Sequence, residues 1–183
     1  MINRAICFAV KAHEGTVRKG TNIPYIIHPL EAMAIVATIT PDRELMVAAV
    51  LHDVLEDTKV TIEDIRREFG DRVAYLVDAE TIRDVDGVSH IDSWQLRKQT
   101  AINHLAMASR GVQIVALGDK LSNMRAMANG YRQFGERLWE RFNVKERSLH
   151  AWYYRGRVKS LASLNDTMAY QEFAGLVEQV FAY

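Results

Sequence analysis

The chain has 183 residues, a single Cys, 49% hydrophobic residues, and 23 basic side chains balanced by 23 acidic ones. That length can bury one sizeable core, so one domain over residues 1–183 is expected, and one Cys excludes a disulfide framework. Zero net charge argues against binding nucleic acid by bulk electrostatics, and the opening stretch, broken by Lys11 and His13, fits neither a secretory signal nor a membrane span. A cytoplasmic protein with no nucleic-acid or membrane partner is therefore expected. No oligomeric state is implied.

In chain order, Ile6, Ala9, Val10 and His13 recur at helical spacing, which predicts a helix over 3–13. A polar segment from Glu14 to Asn22 follows, with Gly15 and Gly20 as breakers. Pro29 marks a helix start, continued by Leu30, Ala34 and Ile35. Thr40-Pro41 reads as a cap followed by Pro, ahead of an apolar helix from Leu45 to Leu55. Thr61 and Asp64 form a capping box in which Asp replaces the usual Glu or Gln, and Phe69-Gly70 closes that helix. Asp71 is expected to cap the next helix, through Ala79.

Residues 83–92 are polar and hold Gly87, so an exposed loop is expected there. Ser93 is read as the cap of a helix to about Ala108. The run from Val112 through Leu117 resembles a strand alone, but Leu121, Met124 and Met127 continue it at helical spacing. A loop near Asn129–Gly135 and helices at about 146–163 and 166–181 complete the chain. No run of alternating strands appears, so the fold class is all-α, a single helical bundle.

The most informative stretch is His52-Asp53-Val54-Leu55-Glu56-Asp57, four ionisable groups in six residues beside the most apolar helix. Charged groups are rarely buried unless paired or bound to a metal. Adjacent residues such as His52 and Asp53 reach one ion only where the helix is irregular. On a continuous helix Glu56 shares a face with His52, and Asp57 with Asp53. His28, held by Pro29 at a helix start, and Asp119, at the end of an apolar run, are the candidates that complete a shell. Two imidazoles and two carboxylates suit Mn²⁺, Fe²⁺ or Zn²⁺. Such an ion polarises a phosphoryl oxygen and acidifies a water, with Glu56 and Asp57 placed to move protons.

The order His28, His52-Asp53, Asp119 resembles the H…HD…D signature of the HD metal-dependent phosphohydrolase superfamily. Ala12-His13, Arg18-Lys19, the run from Pro24 to Leu30, the run from Leu51 to Thr58, Phe69-Gly70 and the run from Asp119 to Arg125 occur in sequence. Together they are similar to the hydrolase domain of RelA/SpoT-type alarmone enzymes over about residues 1–160. The remaining length suggests the stand-alone small alarmone hydrolases. The resemblance implies an all-α fold holding one divalent ion, typically Mn²⁺. It also implies removal of the 3′-pyrophosphate of (p)ppGpp, a small-molecule nucleotide substrate.

By that resemblance His28, His52, Asp53 and Asp119 are metal ligands. Glu56 and Asp57 are the catalytic acidic pair. Arg18 and Lys19 contact nucleotide and phosphates, and Asn123 lies near the sugar. Tyr153 is a further candidate for the substrate pocket, with a core role as its alternative, and Arg125 is read as an ion-pair partner. The last motif departs from the L-A-D-R-L-H-N-M-R-T pattern of the long enzymes, with Gly118, Lys120, Ser122 and Ala126 at its A, R, H and T. That leaves open another nucleotide, such as a nucleoside monophosphate or NADPH. A nucleotide sensor without turnover is the remaining alternative.

Overall fold

The protein is described by a computed structural model covering residues 1–81 and 90–182. Among the described residues ten α-helices run in the order α1 (Ile2–Ala12), α2 (Ile27–Ile39), α3 (Arg43–Leu51), α4 (Val54–Asp57), α5 (Ile62–Phe69), α6 (Asp71–Glu80), α7 (His90–Met107), α8 (Arg110–Phe134), α9 (Arg147–Ser160) and α10 (Met168–Phe181). Among the described residues there is no strand, only an isolated bridge between Val17 and Pro24. The all-α expectation holds. No helix among the described residues is long and apolar enough to cross a membrane.

The longest helix, α8, lies at the centre and packs on α2, α3 and α10. It starts because Ser109 caps it, the hydroxyl accepting the Val112 amide. Its middle is buried from Val112 to Asp119. At Gly118 the backbone of α2 comes so close that a Cβ would stand 2.8 Å from the Ala32 carbonyl oxygen and 2.9 Å from Val36 Cγ2. This close approach leaves no room for a side chain at position 118. Arg125 ties α8 to its neighbours, donating to both carboxylate oxygens of Glu172 on α10 and, at 3.1 Å, to Glu31 on α2. Its reading as an ion-pair partner is correct.

Several boundaries differ from expectation. The cap of α3 is Asp42, whose carboxylate accepts the Glu44 and Leu45 amides, while Thr40 ends α2. The expected helix through Leu55 breaks after Leu51, so His52 and Asp53 lie in a turn before α4. Asp71 is the first residue of α6 rather than its cap, because Gly70, at φ +93°, already makes the turn. The capping box of Thr61 and Asp64 is present. Ser93 lies inside α7, which starts at His90, and the rest of the expected 83–92 loop lies outside the described residues. The expected loop at Asn129–Gly135 is helix as far as Phe134, because Met127 and Ala128 still bury and Leu138 packs on Gly130. A 3₁₀ segment, Gly135–Arg141, follows. The helices expected at 146–163 and 166–181 are α9 and α10, with a short 3₁₀ turn, Ala162–Leu164, between them.

Candidate metal and nucleotide site

The site forms where α2, the turn after α3 and the middle of α8 meet. His28 is the second residue of α2, its ring 3% exposed with the rest of the residue. His52 follows the apolar α3, whose buried face is continuous from Val47 to Leu51. Its Nδ1 donates to the Ala49 carbonyl at 2.7 Å. A continuous helix would offer that carbonyl to the Asp53 amide, so the side chain competes with the helix where the helix stops. At this break Asp53 Oδ2 lies 3.0 Å from His52 Nε2, so the irregularity expected of two adjacent candidate ligands is present.

The four expected ligands converge. His28 Nε2 lies 3.2 Å from His52 Nε2 and 3.2 Å from Asp119 Oδ1. Asp53 Oδ2 lies 3.0 Å from His52 Nε2 and 3.5 Å from His28 Nε2. Donor atoms of His28, His52 and Asp119 all fall within 4.8 Å of one another.

The tautomers follow from the surrounding hydrogen bonds. A carbonyl only accepts, so His52 carries its proton on Nδ1. Ser122 Oγ lies 2.8 Å from His28 Nδ1 and spends its own proton on Glu31 Oε2 at 2.7 Å. His28 Nδ1 is therefore also a donor. With both imidazoles neutral, as metal ligands must be, both Nε2 atoms present lone pairs toward each other and toward two carboxylates. Four acceptors pointed at one small volume repel unless a cation lies between them. This arrangement, with each imidazole anchored through its far nitrogen, fits a divalent metal ion.

The electrostatics show how strongly this point favours positive charge. Burial lowers the His28 pKa below its usual value. Burial acts the same way on His52, but Asp53 and Asp119 outweigh it and hold that imidazole well above the usual value. Burial disfavours the Asp119 carboxylate, yet Lys120 and His52 hold it well below the ordinary range. Asp53 is likewise held low against burial, by His52. Tyr25 donates to Asp53 Oδ2 at 2.6 Å.

Of the other expected residues, Asn123 and Arg18 connect directly to this centre. Asn123 Nδ2 donates to Asp119 Oδ1 at 2.5 Å, and its carbonyl accepts Arg18 Nη2 at 2.7 Å. Asn123 thus shares the Asp119 face, as the spacing requires. Arg18 sits on a small loop pinned by the Val17–Pro24 bridge, with its guanidinium over Tyr25. Lys19, exposed on the same loop, donates to the Asn143 side chain. Glu56 and Asp57 are exposed on α4. A cavity of about 480 Å³ opens beside His28, with Arg18, Ile27, Asn123, Ala126, Asn129 and Phe142 among its lining. Tyr154 lines it; Tyr153 does not, and is 5% exposed.

Tyr153 instead belongs to a group that sequence spacing does not reveal. Its hydroxyl accepts Arg157 Nε at 2.9 Å, and Lys98 Nζ lies 4.8 Å from its ring centre. Burial raises the Tyr153 pKa, but Lys120, Arg157 and Lys98 outweigh it and bring it down to about 8. Glu80, at the end of α6, is pushed up to about 7 by burial, against the pull of Lys120 and Arg157. These five residues come from four helices, α6 to α9. Ser122, Glu31 and Tyr25 were also missed; only the first two were within reach of spacing arguments, as helix neighbours of Asp119 and His28.

Comparison with known proteins places this geometry. Residues 5–141 match the family described as HD domain. The guanosine-3′,5′-bis(diphosphate) 3′-pyrophosphohydrolase of Aquifex aeolicus is 38% identical over 131 residues, which cover 69% of this chain and 18% of that protein. The bifunctional (p)ppGpp synthase/hydrolase SpoT of Escherichia coli is 35% identical over 136 residues, 70% of this chain and 18% of that one. The chain spans less than a fifth of these curated relatives. Among solved structures, a metazoan ortholog of SpoT described as hydrolysing ppGpp superposes with a TM-score of 0.79 at 24% identity, covering 99% of this chain and 96% of that chain. The protein lmo0812 of Listeria monocytogenes superposes with a TM-score of 0.75 at 29% identity, covering 85% and 99%. With His28, His52-Asp53 and Asp119 gathered at one point and the family match running through all of them, the chain belongs to the HD domain family.

Proposed function

We propose that this chain is a metal-dependent phosphohydrolase that removes the 3′-pyrophosphate of (p)ppGpp, giving GDP or GTP and pyrophosphate. The observation that carries the reading is the convergence of His28, His52, Asp53 and Asp119 on one cation-sized point beside a nucleotide-sized cavity. The relatives named for this reaction support the substrate. His28, His52, Asp53 and Asp119 would hold Mn²⁺, which suits a mixed nitrogen and oxygen shell. When bound, the ion supplies Lewis-acid stabilisation of phosphoryl oxygens and a more acidic water.

The chain's own residues do the rest. A water oxygen bonds to the phosphorus attached at the ribose 3′-oxygen, and that P–O bond breaks. Glu56, assisted by Asp57, takes the proton from the water and returns one to the departing 3′-oxygen. Arg18 and Lys19 hold the nucleotide and its phosphates, and Asn123 aligns the sugar while steadying Asp119. Lys98, Lys120 and Arg157 act electrostatically on Asp119 and would favour the negative charge of the leaving pyrophosphate. Tyr153 shapes that cationic group. In this reading residues 1–183 form one domain, and the place of action is the cytoplasm.

The test is hydrolysis of ppGpp by the Mn²⁺-loaded protein, with products separated by anion exchange. GDP plus pyrophosphate is the expected result. Orthophosphate, or turnover of other nucleotides only, would replace the substrate. One observation favours that second reading: Ala126 lines the cavity where the long enzymes place a Thr, so one hydrogen-bonding hydroxyl is absent from the pocket wall. A nucleotide panel including NADPH and nucleoside monophosphates decides between the two.

A further inference from the structure

The 3₁₀ segment Gly135–Arg141 lies beyond the last motif shared with the alarmone hydrolases, yet with Phe142 it forms one wall of the cavity beside His28. Buried side chains anchor that wall. Trp139 is 4% exposed and stacks on His150, and Phe142 packs on both rings, with centroids 6.0 and 4.9 Å away. Leu138 is buried against Gly130 of α8. Arg141 lines the cavity from this wall. Its guanidinium lies 3.9 Å from the ring centre of Phe134, and among the described residues no carboxylate pairs with it. A guanidinium stacked on a ring still presents its edge N–H groups, and that fork matches a phosphate.

The loop of Arg18 and Lys19 runs from the metal ligands to this wall. Arg18 donates to Asn123, which donates to Asp119. Lys19 donates to Asn143, two residues past Arg141. Gly20, at φ +70°, lies against the Arg141 stem, and a Cβ there would stand 3.2 Å from Arg141 Cδ. Three consecutive residues thus join the two ends of the cavity. A nucleotide laid along them with its 3′-phosphates at the ligands brings its 5′ end to Arg141.

We propose that Arg141 binds the 5′-phosphates of the substrate, which makes the site selective for a nucleotide phosphorylated at both the 3′ and 5′ positions. The inference rests on the proposed hydrolase reading, because that reading puts the 3′-pyrophosphate at the metal ligands. Arg141 lies away from the scissile bond. It contributes binding that is equal in ground and transition states, and such binding sets KM rather than kcat.

The experiment uses the full Mn²⁺-loaded chain and two substrates, ppGpp and guanosine 3′-diphosphate, whose 5′-hydroxyl is free. The wild type should favour ppGpp in kcat/KM by about 10–100-fold, the range of a charged hydrogen bond. Arg141→Met keeps a long packed stem and removes the charge. It should raise KM for ppGpp by about that factor, change kcat far less, and leave KM for guanosine 3′-diphosphate where it was. Arg141→Lys should recover part of the preference. Equal losses on both substrates mark a structural residue and overturn the proposal, as does an unchanged KM for ppGpp. If the wild type does not turn over ppGpp, the substrate reading fails by itself, and calorimetry then decides Arg141. GDP and ADP are compared with guanosine and adenosine. A diphosphate advantage in the wild type that Arg141→Met loses supports the proposal. No advantage in the wild type, or the same advantage in both proteins, overturns it.

Discussion

Ser122 Oγ lies 2.8 Å from His28 Nδ1 and donates its own hydroxyl hydrogen bond to Glu31, so the orientation of the His28 imidazole on α2 is set from α8. Arg125 donates to the same Glu31 and to Glu172, which extends the chain to α10. Outer partners of this kind change metal affinity by roughly 10–100-fold when removed. Ser122→Ala should weaken Mn²⁺ by that factor and leave the melting temperature of the metal-free protein within a few degrees. Competition with a chelating indicator measures it. Unchanged affinity would mean that His28 is oriented without Ser122.

The ligands themselves should behave as a set. His52→Ala or Asp53→Ala should abolish stoichiometric Mn²⁺ and turnover together. Chelation should lower the melting temperature of the wild type, since an ion bound only by the folded state stabilises it. Neither variant should respond to chelator. Metal analysis beside thermal unfolding checks this, and Asp53→Ala with full activity would remove Asp53 from the shell.

Glu56→Gln separates chemistry from metal binding. Loss of a group that transfers protons costs typically about 10²–10⁴-fold in rate. Turnover of ppGpp should fall by that much, with Mn²⁺ still bound and KM little changed. A variant at wild-type rate would move the proton-handling role to another group.

Gly118→Ala tests the close approach of α2 and α8. The added Cβ meets the Ala32 carbonyl oxygen and Val36 Cγ2 at less than 3 Å, and the Ala32 atom is backbone. Overpacking costs about 1–3 kcal/mol. The helix propensity of Ala returns at most about 1 kcal/mol. Thermal unfolding should show a net loss, and metal affinity should fall too, because Asp119 is the next residue. A stabilised variant would show that α2 yields easily.

Glu80 gives a pH dependence with a definite sign. Burial raises its pKa from 4.5 to about 7 in the fold. Between those values the folded state binds more protons than the unfolded chain, so stability falls as pH rises. The contribution is complete below about 4.5 and gone above about 7. Glu80→Gln, which keeps the neutral form at every pH, should flatten this part of the stability curve. Chemical denaturation at pH 5 and pH 7.5 checks it, and an unchanged slope would assign the dependence to other groups.

The sequence by itself determined the helical class, because apolar spacing near 3.6 residues persists from α1 to α10 and the turn residues mark most ends. It also pointed to His28, His52, Asp53 and Asp119 as candidate ligands, through their resemblance to the H…HD…D signature, and these four side chains converge in the fold. Tertiary structure decided where helices continue or stop. Asn129–Phe134 stays helical because Met127, Ala128 and Leu138 bury together, and α3 stops because His52 claims the Ala49 carbonyl. Only the tertiary structure assembled the Glu31–Ser122–His28 relay and the group of Glu80, Lys98, Lys120, Tyr153 and Arg157. Those contacts join helices far apart in the chain, and periodicity within one helix carries no record of which neighbour it will face.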